Sequence, residues 1–404
     1  MKQEWLEEQR SNLISFGKLG YHEGLGGFGR LQADGSVLES RGLETWVNAR
    51  ATYCFALDVL AGNPDSMEWI NKGTDCLLDR LRDQEHGGWF TGISEDGQPH
   101  TEGRKEAYTH AFVLLAASSL MAVGAPRASE LFALIDATIT DKFWSEEERA
   151  TSESWDRTWS IPEPYRGANS NMHLTEAFLA AFDVTGDEKW LLRAQDIVAR
   201  IVGDYAQSMR WRIPEHFDAS WNVVLAYNKD APNHPFRPFG ATPGHGFEWA
   251  RLVLQLSRGM KNHGLPVPFW HKEAAKGLFQ QAAQDGWMRN GHPGFCYTVD
   301  FDGNVVTPFH LAWVVCEALS AAIVLDREYP QSAFSPWVDT LWEYCDTFLV
   351  DRELGGWRTE LDSHNNPSTL VWGDKPDFYH PLQSVLIPRT RTGPSLLGGF
   401  ESSA

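Results

Sequence analysis

No run in this 404-residue chain approaches the roughly 18 apolar residues needed to cross a bilayer. Its first residues, Met1 to Gln9, include Glu4, Glu7 and Glu8 and lack the apolar core of a secretory signal. The five cysteines (Cys54, Cys76, Cys296, Cys316, Cys345) are odd in number and form no CxxC, as expected of reduced core thiols in a cytosolic, cytoplasmic protein. Basic residues are scarce. Against 54 Asp and Glu stand only 35 Lys and Arg, and the net charge of −19 repels phosphate backbones, so no nucleic-acid partner is expected. The P-loop, the GxSxG nucleophile elbow and the HExxH metal signature are all missing. Gly24-Leu25-Gly26-Gly27-Phe28-Gly29 satisfies GxGxxG, yet it follows a helix-like segment and no βαβ pattern surrounds it. It reads as a glycine-rich turn rather than a dinucleotide site, and no cofactor is expected. No Ser/Gly/Pro-rich linker or low-complexity tract marks a boundary. Residues 1–404 are therefore read as one domain, although length alone, at roughly 150 residues per domain, suggests two or three.

Aromatic residues are plentiful: 18 Trp and 22 Phe, which suit a large core or a sugar site. Six residues, Arg50, His110, His173, His245, Trp313 and His380, recur at gaps of 60, 63, 72, 68 and 67, each near the start of an apolar, helix-like segment. A second repeat runs in phase. Its members include Gly26-Gly27-Phe28 with Asp34-Gly35, Gly87-Gly88-Trp89-Phe90 with Asp96-Gly97, and Gly355-Gly356-Trp357 with Asn365-Asn366, each reading as a short hairpin or tight turn. The helical segments are of two kinds. Asp187–Val202 carries one apolar stripe at a 3.6-residue period, whereas Met172 to Val184 is apolar nearly all round. Inner helices are predicted over 42–61, 104–123, 169–185, 243–260, 308–326 and 376–390. Outer helices are predicted over 66–82, 126–141, 187–206, 267–284 and 334–350, with Gln3–Phe16 as the sixth, beside the last inner helix. The predicted fold is all-α: an (α/α)6 barrel with short β-hairpins at one end.

Two inner segments begin with His-x-x-Glu: His173 with Glu176, and His245 with Glu248. Residues three apart share a helical face. A carboxylate there could fix one imidazole nitrogen and leave the other to exchange protons. The positive end of the helix macrodipole favours the neutral, basic imidazole. Helical di-metal sites use a similar spacing in the order Glu-x-x-His, so spacing alone leaves a metal open. Arg50, in an apolar stretch, admits two readings: a salt bridge to a neighbouring helix, or a fixed cation for a developing oxyanion.

The segments Asn169-Ser170-Asn171-Met172-His173, Thr242-Pro243-Gly244-His245 with Glu248-Trp249, Tyr297-Thr298-Val299-Asp300, and Tyr379-His380 leading to Ile387-Pro388-Arg389 carry a resemblance. From Trp5 to Pro388 the chain resembles the N-acylglucosamine 2-epimerase superfamily, in its branch of D-mannose and sulfosugar (sulfoquinovose) isomerases. The resemblance implies an (α/α)6 barrel and metal-free chemistry on a monosaccharide. That chemistry is aldose–ketose isomerisation, D-mannose to D-fructose through a cis-enediol, or epimerisation at C2. It further implies that His245 and His380 exchange protons and that His173 and Arg50 hold sugar oxygens. Tyr108, Asn169, Trp313 and Trp372 would line the pocket, with Met172 and Trp46 beside them and His110 and Glu176 one layer behind. On this reading His380 moves the carbon-bound proton, and His245, oriented by Glu248, opens the ring and serves the hydroxyls. Sulfosugar-processing members have Arg and Gln where this chain has Pro235 and Thr359, so a neutral hexose is expected. The alternatives are a mannose/glucose or cellobiose 2-epimerase, a sulfoquinovose isomerase, a non-catalytic sugar binder, and a glycoside hydrolase. A hydrolase would need paired carboxylates such as Asp218 or Glu215, roughly 6.5–9.5 Å apart for inversion. Isomerase against epimerase, and monomer against oligomer, stay open at this level.

Overall fold

The computed structural model describes residues 3–330 and 333–400. Its outer helices follow from one-sided apolar stripes. In α7 (Glu188–Val198), Trp190, Leu191, Ala194, Ile197 and Val198 are buried, and the Asp187 side chain caps the start by accepting the Lys189 N–H at 3.0 Å. The inner helices are covered on all sides: α4 (Ala107–Ala122) is buried without a break from Thr109 to Leu120. The other inner helices are α2 (Thr45–Leu60), α6 (Ala168–Thr185), α8 (Pro243–Asn262), α10 (Ala312–Glu328) and α12 (Tyr379–Leu386). The other outer helices are α3 (Met67–Asp79), α5 (Ala128–Thr138), α9 (His271–Gly286), α11 (Ser335–Tyr344) and α1 (Gln3–Lys18). Each inner helix packs on its inner neighbours, α12 returns to α2, and α1 backs α12. The twelve helices among the described residues thus form the expected six pairs in a closed ring. None of them is long and apolar enough to cross a membrane.

Several boundaries differ from expectation. Regular α geometry in α5, α7 and α11 stops at Thr138, Val198 and Tyr344, and the rest of each predicted span continues as a wider π turn to Phe143, Ala206 and Leu349. The last inner helix begins only at Tyr379, because Asp377 stays outside it and accepts the Tyr379 N–H at 2.9 Å.

The hairpins are more than local turns. Leu31, Ile93, Trp155, Phe217, Val299 and Leu361 each pair with a residue six or seven positions later in their own hairpin. Each also pairs with the strand that leads into an inner helix: with Lys375, Leu43, Lys105, Arg166, Ala241 and His310 respectively. Every hairpin therefore ties two neighbouring helix pairs together, and Leu31 with Lys375 closes the circle. The six residues recur every 62 positions, except for 82 between Phe217 and Val299. The same contacts satisfy buried helix starts: the N–H groups of Thr45, Ala107, Ala168 and Ala312 donate to carbonyls of Thr91, Glu153, Glu215 and Thr359 at 2.8–3.0 Å.

Candidate active site

The hairpin end of the ring opens into a pocket walled by aromatic rings with a few convergent polar groups, the usual make-up of a small-molecule site. Side chains near the inner-helix starts converge there: Arg50 on α2, Tyr108 on α4, Asn169 and His173 on α6, His245 and Glu248 on α8, Trp313 on α10, and His380 on α12. Trp372, before α12, also lines it. Of the expected lining residues, Met172 does not reach the pocket; it is fully buried in the core. Trp46 stands behind the wall, its ring 5.0 Å from the Arg50 guanidinium and packed against Tyr108 and Trp372.

The two expected proton carriers each have a carboxylate partner, but not the expected one. His245 Nδ1 lies 2.8 Å from Glu215 Oε2, and His380 Nδ1 lies 2.8 Å from Glu317 Oε1. Glu248 does not orient His245. Its position three residues on points its carboxyl into the barrel axis, whereas Glu215 comes from the hairpin that pairs with the strand before α6 and leads on to α8. Both bonds leave Nε2 as the exchanging nitrogen. The Trp313 ring lies between the two imidazoles, 5.2 Å from His245 and 5.9 Å from His380. Gly244 makes this approach possible, since a Cβ there would come within 2.3 Å of the Trp313 ring.

Arg50 combines both of its readings. It is almost completely buried, donates to Asp377 at 2.8 Å and to the Tyr108 hydroxyl at 3.0 Å, and also lines the pocket. Phe112 and Tyr379 flank its guanidinium at 4.1 and 4.6 Å. Its Nε is buried without a hydrogen-bond partner in the protein. Asn169 Oδ1 is likewise unpartnered.

Beneath the pocket three carboxylates meet one guanidinium. Arg251 donates to Glu317 Oε2 at 2.9 and 3.1 Å, to Glu176 at 3.3 Å and to Gln255 at 3.1 Å, and reaches Glu248 at 3.5 Å. The Tyr379 hydroxyl donates to Glu176. Three buried negative charges against one positive charge cannot all persist. Burial, reinforced by Glu317 and Glu176, drives the Glu248 carboxyl well above the usual carboxylate range and favours its protonated form. Burial works against ionised Glu317 too, but Arg251 and His380 overcome it and hold that group below its ordinary value. Glu248 lines the pocket, and its Oε2 makes no hydrogen bond within the protein. Burial also lowers His173 to about 4. Its Nδ1 stands 3.7 Å from Glu248 and 4.0 Å from Glu176, without a hydrogen bond to either.

His110 belongs to a different set. Its Nε2 accepts the Trp89 N–H at 3.0 Å, and its Nδ1 lies 2.7 Å from the Glu106 carbonyl, so it is a neutral imidazole off the pocket. Asn48 Oδ1 accepts the Phe28 N–H, and Asn171 Oδ1 the Thr151 N–H, in the same way. The structural series is therefore Asn48, His110, Asn171; two residues later come Arg50 and His173, which line the pocket, and Phe112, which is buried against both. Sequence reasoning misaligned α4 by two residues because histidine was the more conspicuous side chain. It also missed Glu317, Asp377 and Arg251, and it offered Glu215 only as a hydrolase carboxylate, although Glu215 occupies the same place in its repeat as Thr91, Glu153 and Thr359. Asp218 caps its own turn at Ser220 and Asn222. With Glu215 committed to His245, the suggested hydrolase pair is not formed.

Fold and site together define a helical-barrel pocket with imidazole acid/base groups and one fixed cation. Residues 26–384 match the N-acylglucosamine 2-epimerase (GlcNAc 2-epimerase) family, and the chain belongs to it. It is 42% identical over 393 residues to a D-mannose isomerase of Pseudomonas cannabina pv. alisalensis, covering 97% of this chain and 94% of the relative. It is also 42% identical to a D-mannose isomerase of Thermobifida fusca, covering 98% and 96%. A crystal structure of a D-mannose isomerase superposes with a TM-score of 0.86 at 28% identity, covering 96% of this chain and 97% of the other.

Proposed function

We propose that this chain is an aldose–ketose isomerase that interconverts D-mannose and D-fructose through a cis-enediol. The observation that carries the reading is the pair of carboxylate-backed imidazoles, His245 and His380, on either side of Trp313 and in one pocket with Arg50. The identity to two D-mannose isomerases over nearly the full chain supports the same choice of substrate.

His380 Nε2 removes the C2 proton of the open-chain aldose. The C–H electron pair forms the C1–C2 double bond, and the carbonyl π pair moves to O1, where Arg50 stabilises the charge. His245, held by Glu215, opens the ring and shuttles the hydroxyl protons between O1 and O2. His380 then returns its proton to C1, leaving the ketose with no net redox change. Neutral Glu248 donates a hydrogen bond to a sugar oxygen, and Asn169 and His173 hold others. The reaction is proposed to be metal-free. The three donors closest to a metal-binding arrangement, His173, Glu176 and Glu248, lie within 4.8 Å of one another, but Arg251 already occupies that centre with positive charge.

The pocket favours an uncharged hexose. Pro235 and Thr359 line it, and its other cation, Arg358, is committed to the carbonyls of Phe348 and Val350 and to Asp351. All five cysteines are free and buried, in keeping with a cytoplasmic setting. The deciding experiment is D-mannose in deuterated water with and without a chelator, followed by NMR. Fructose deuterated at C1 in both samples is expected. Glucose deuterated at C2 would make the protein a 2-epimerase, and turnover that needs added metal would overturn the metal-free route.

A further inference from the structure

Five of the six links from hairpin to inner helix are short. From the paired hairpin residue to the strand before the helix they take 11 to 14 residues, as from Ile93 to Lys105, but Phe217 to Ala241 takes 24. The surplus crosses the pocket mouth. Phe236 inserts among three rings from other parts of the ring: Trp372 at 5.3 Å, Tyr108 at 5.4 Å and Trp46 at 5.9 Å. Its carbonyl accepts from Asn169 Nδ2 at 3.4 Å, and Pro235 beside it lines the pocket. The segment is thus a roof in contact with the residues assigned to sugar binding.

The roof is anchored differently at its two sides. Towards α10 the anchors are neutral: the Tyr297 hydroxyl lies 3.2 Å from the carbonyls of His234 and Pro235, and Thr307 donates to Asn233 at 2.7 Å. Towards α6 a charged side chain makes the connection. Arg237 grips Glu163 with two hydrogen bonds of 2.7 and 3.1 Å, approaches Glu153 at 3.5 Å, lies 4.2 Å from the Tyr165 ring and reaches the Tyr227 hydroxyl at 3.3 Å. A forked guanidinium–carboxylate pair fixes direction as well as distance. Neither carboxylate touches the pocket, and Glu153 also accepts from Ser170, next to Asn169.

We propose that Arg237 is a positioning residue for sugar binding. It latches the Leu225–Phe236 roof over the pocket and sets Phe236 and Asn169 in place. This rests on the isomerase reading only for the identity of the sugar. Releasing the latch lowers the fraction of molecules with a formed site, and the apparent affinity falls by that fraction. Arg237→Ala is expected to raise KM for D-mannose about tenfold with kcat changed less than about threefold. It should also speed amide hydrogen exchange across residues 225–237 and leave the helices unchanged. Glu163→Gln, acting from the other side of the pair, should move both readouts in the same direction, and it decides the matter if Arg237→Ala does not accumulate. Unchanged exchange over 225–237 overturns the latch. Faster exchange with unchanged KM overturns its bearing on the site, and faster exchange throughout the barrel reduces Arg237 to a general stabilising residue. If the wild-type protein does not convert mannose, the isomerase reading fails by itself, and the exchange experiment still judges the latch.

Discussion

On α6, His173 is followed by Glu176; on α8, His245 is followed by Glu248. The two helices begin with the same pattern and use it differently. Neither carboxylate holds its own histidine. Glu176 takes hydrogen bonds from Arg251 and Tyr379, burial and its acidic neighbours push the Glu248 carboxyl well above its ordinary range, and His173 Nδ1 is left without a partner. What separates the helices is the hairpin that leads into each. The one entering α8 supplies Glu215 to His245, while the equivalent residue at α6, Glu153, turns to Ser170. The histidine on α6 is therefore buried without a carboxylate partner, and the one on α8 is held by a carboxylate from a neighbouring hairpin.

The largest expected effect tests that division directly. His245→Ala and His380→Ala should each reduce kcat on the order of 10²–10⁴-fold, the usual contribution of a proton-transfer group, with circular dichroism unchanged. His173→Ala should act mainly on KM. Equal losses of kcat at all three positions would erase the distinction between α6 and α8. Next in size is the loss of an orienting carboxylate. Glu215→Gln keeps the imidazole but loses its charged partner, and kcat should fall about 10²-fold or more. A Glu215→Gln variant that keeps wild-type kcat would show that Glu215 is only structural.

Glu248→Gln sharpens the comparison from the other member of the pair. A protonated carboxyl and an amide are both neutral donors of nearly equal shape. If Glu248 carries its proton, the glutamine variant should retain activity to within about tenfold, since a single neutral hydrogen bond contributes about 1 kcal/mol. A loss as large as that of Glu215→Gln in steady-state kinetics would mean that Glu248 works as a carboxylate.

The ring of six helix pairs was readable because burial repeats: a one-sided stripe marks an outer helix, an all-round apolar segment an inner one, and α1 was needed to balance the count. Most pocket residues were readable because polar side chains are conspicuous in apolar helix starts. The carboxylates behind the histidines were not. Glu215 lies 30 residues before His245 and Glu317 lies 63 before His380, and only closure of the ring brings them together. The hairpins misled in a related way, since their cross-repeat pairing joins residues about 50 positions apart, such as Leu43 with Ile93. Charge balance around Arg251 was equally invisible, because Glu176, Glu248 and Glu317 sit on three different helices.

His110 gives the smallest expected effect on activity and the clearest test of register. Its counterparts Asn48 and Asn171 make the same bond to a hairpin N–H, so His110→Asn should keep the fold and leave kcat and KM close to wild type. Its consequence lies in acid. Burial lowers His110 to about 3, against an ordinary histidine value of about 6.5. As pH falls between those values, the unfolded chain takes up a proton that the folded protein refuses, which costs the native state about 1.4 kcal/mol per pH unit. Asparagine has no such proton. The difference in Tm between His110→Asn and the wild type should therefore shift in favour of the variant as pH is lowered from 7 to 5. A constant difference would mean that His110 charges in the folded state, and a large loss of activity would return it to the set that serves the pocket.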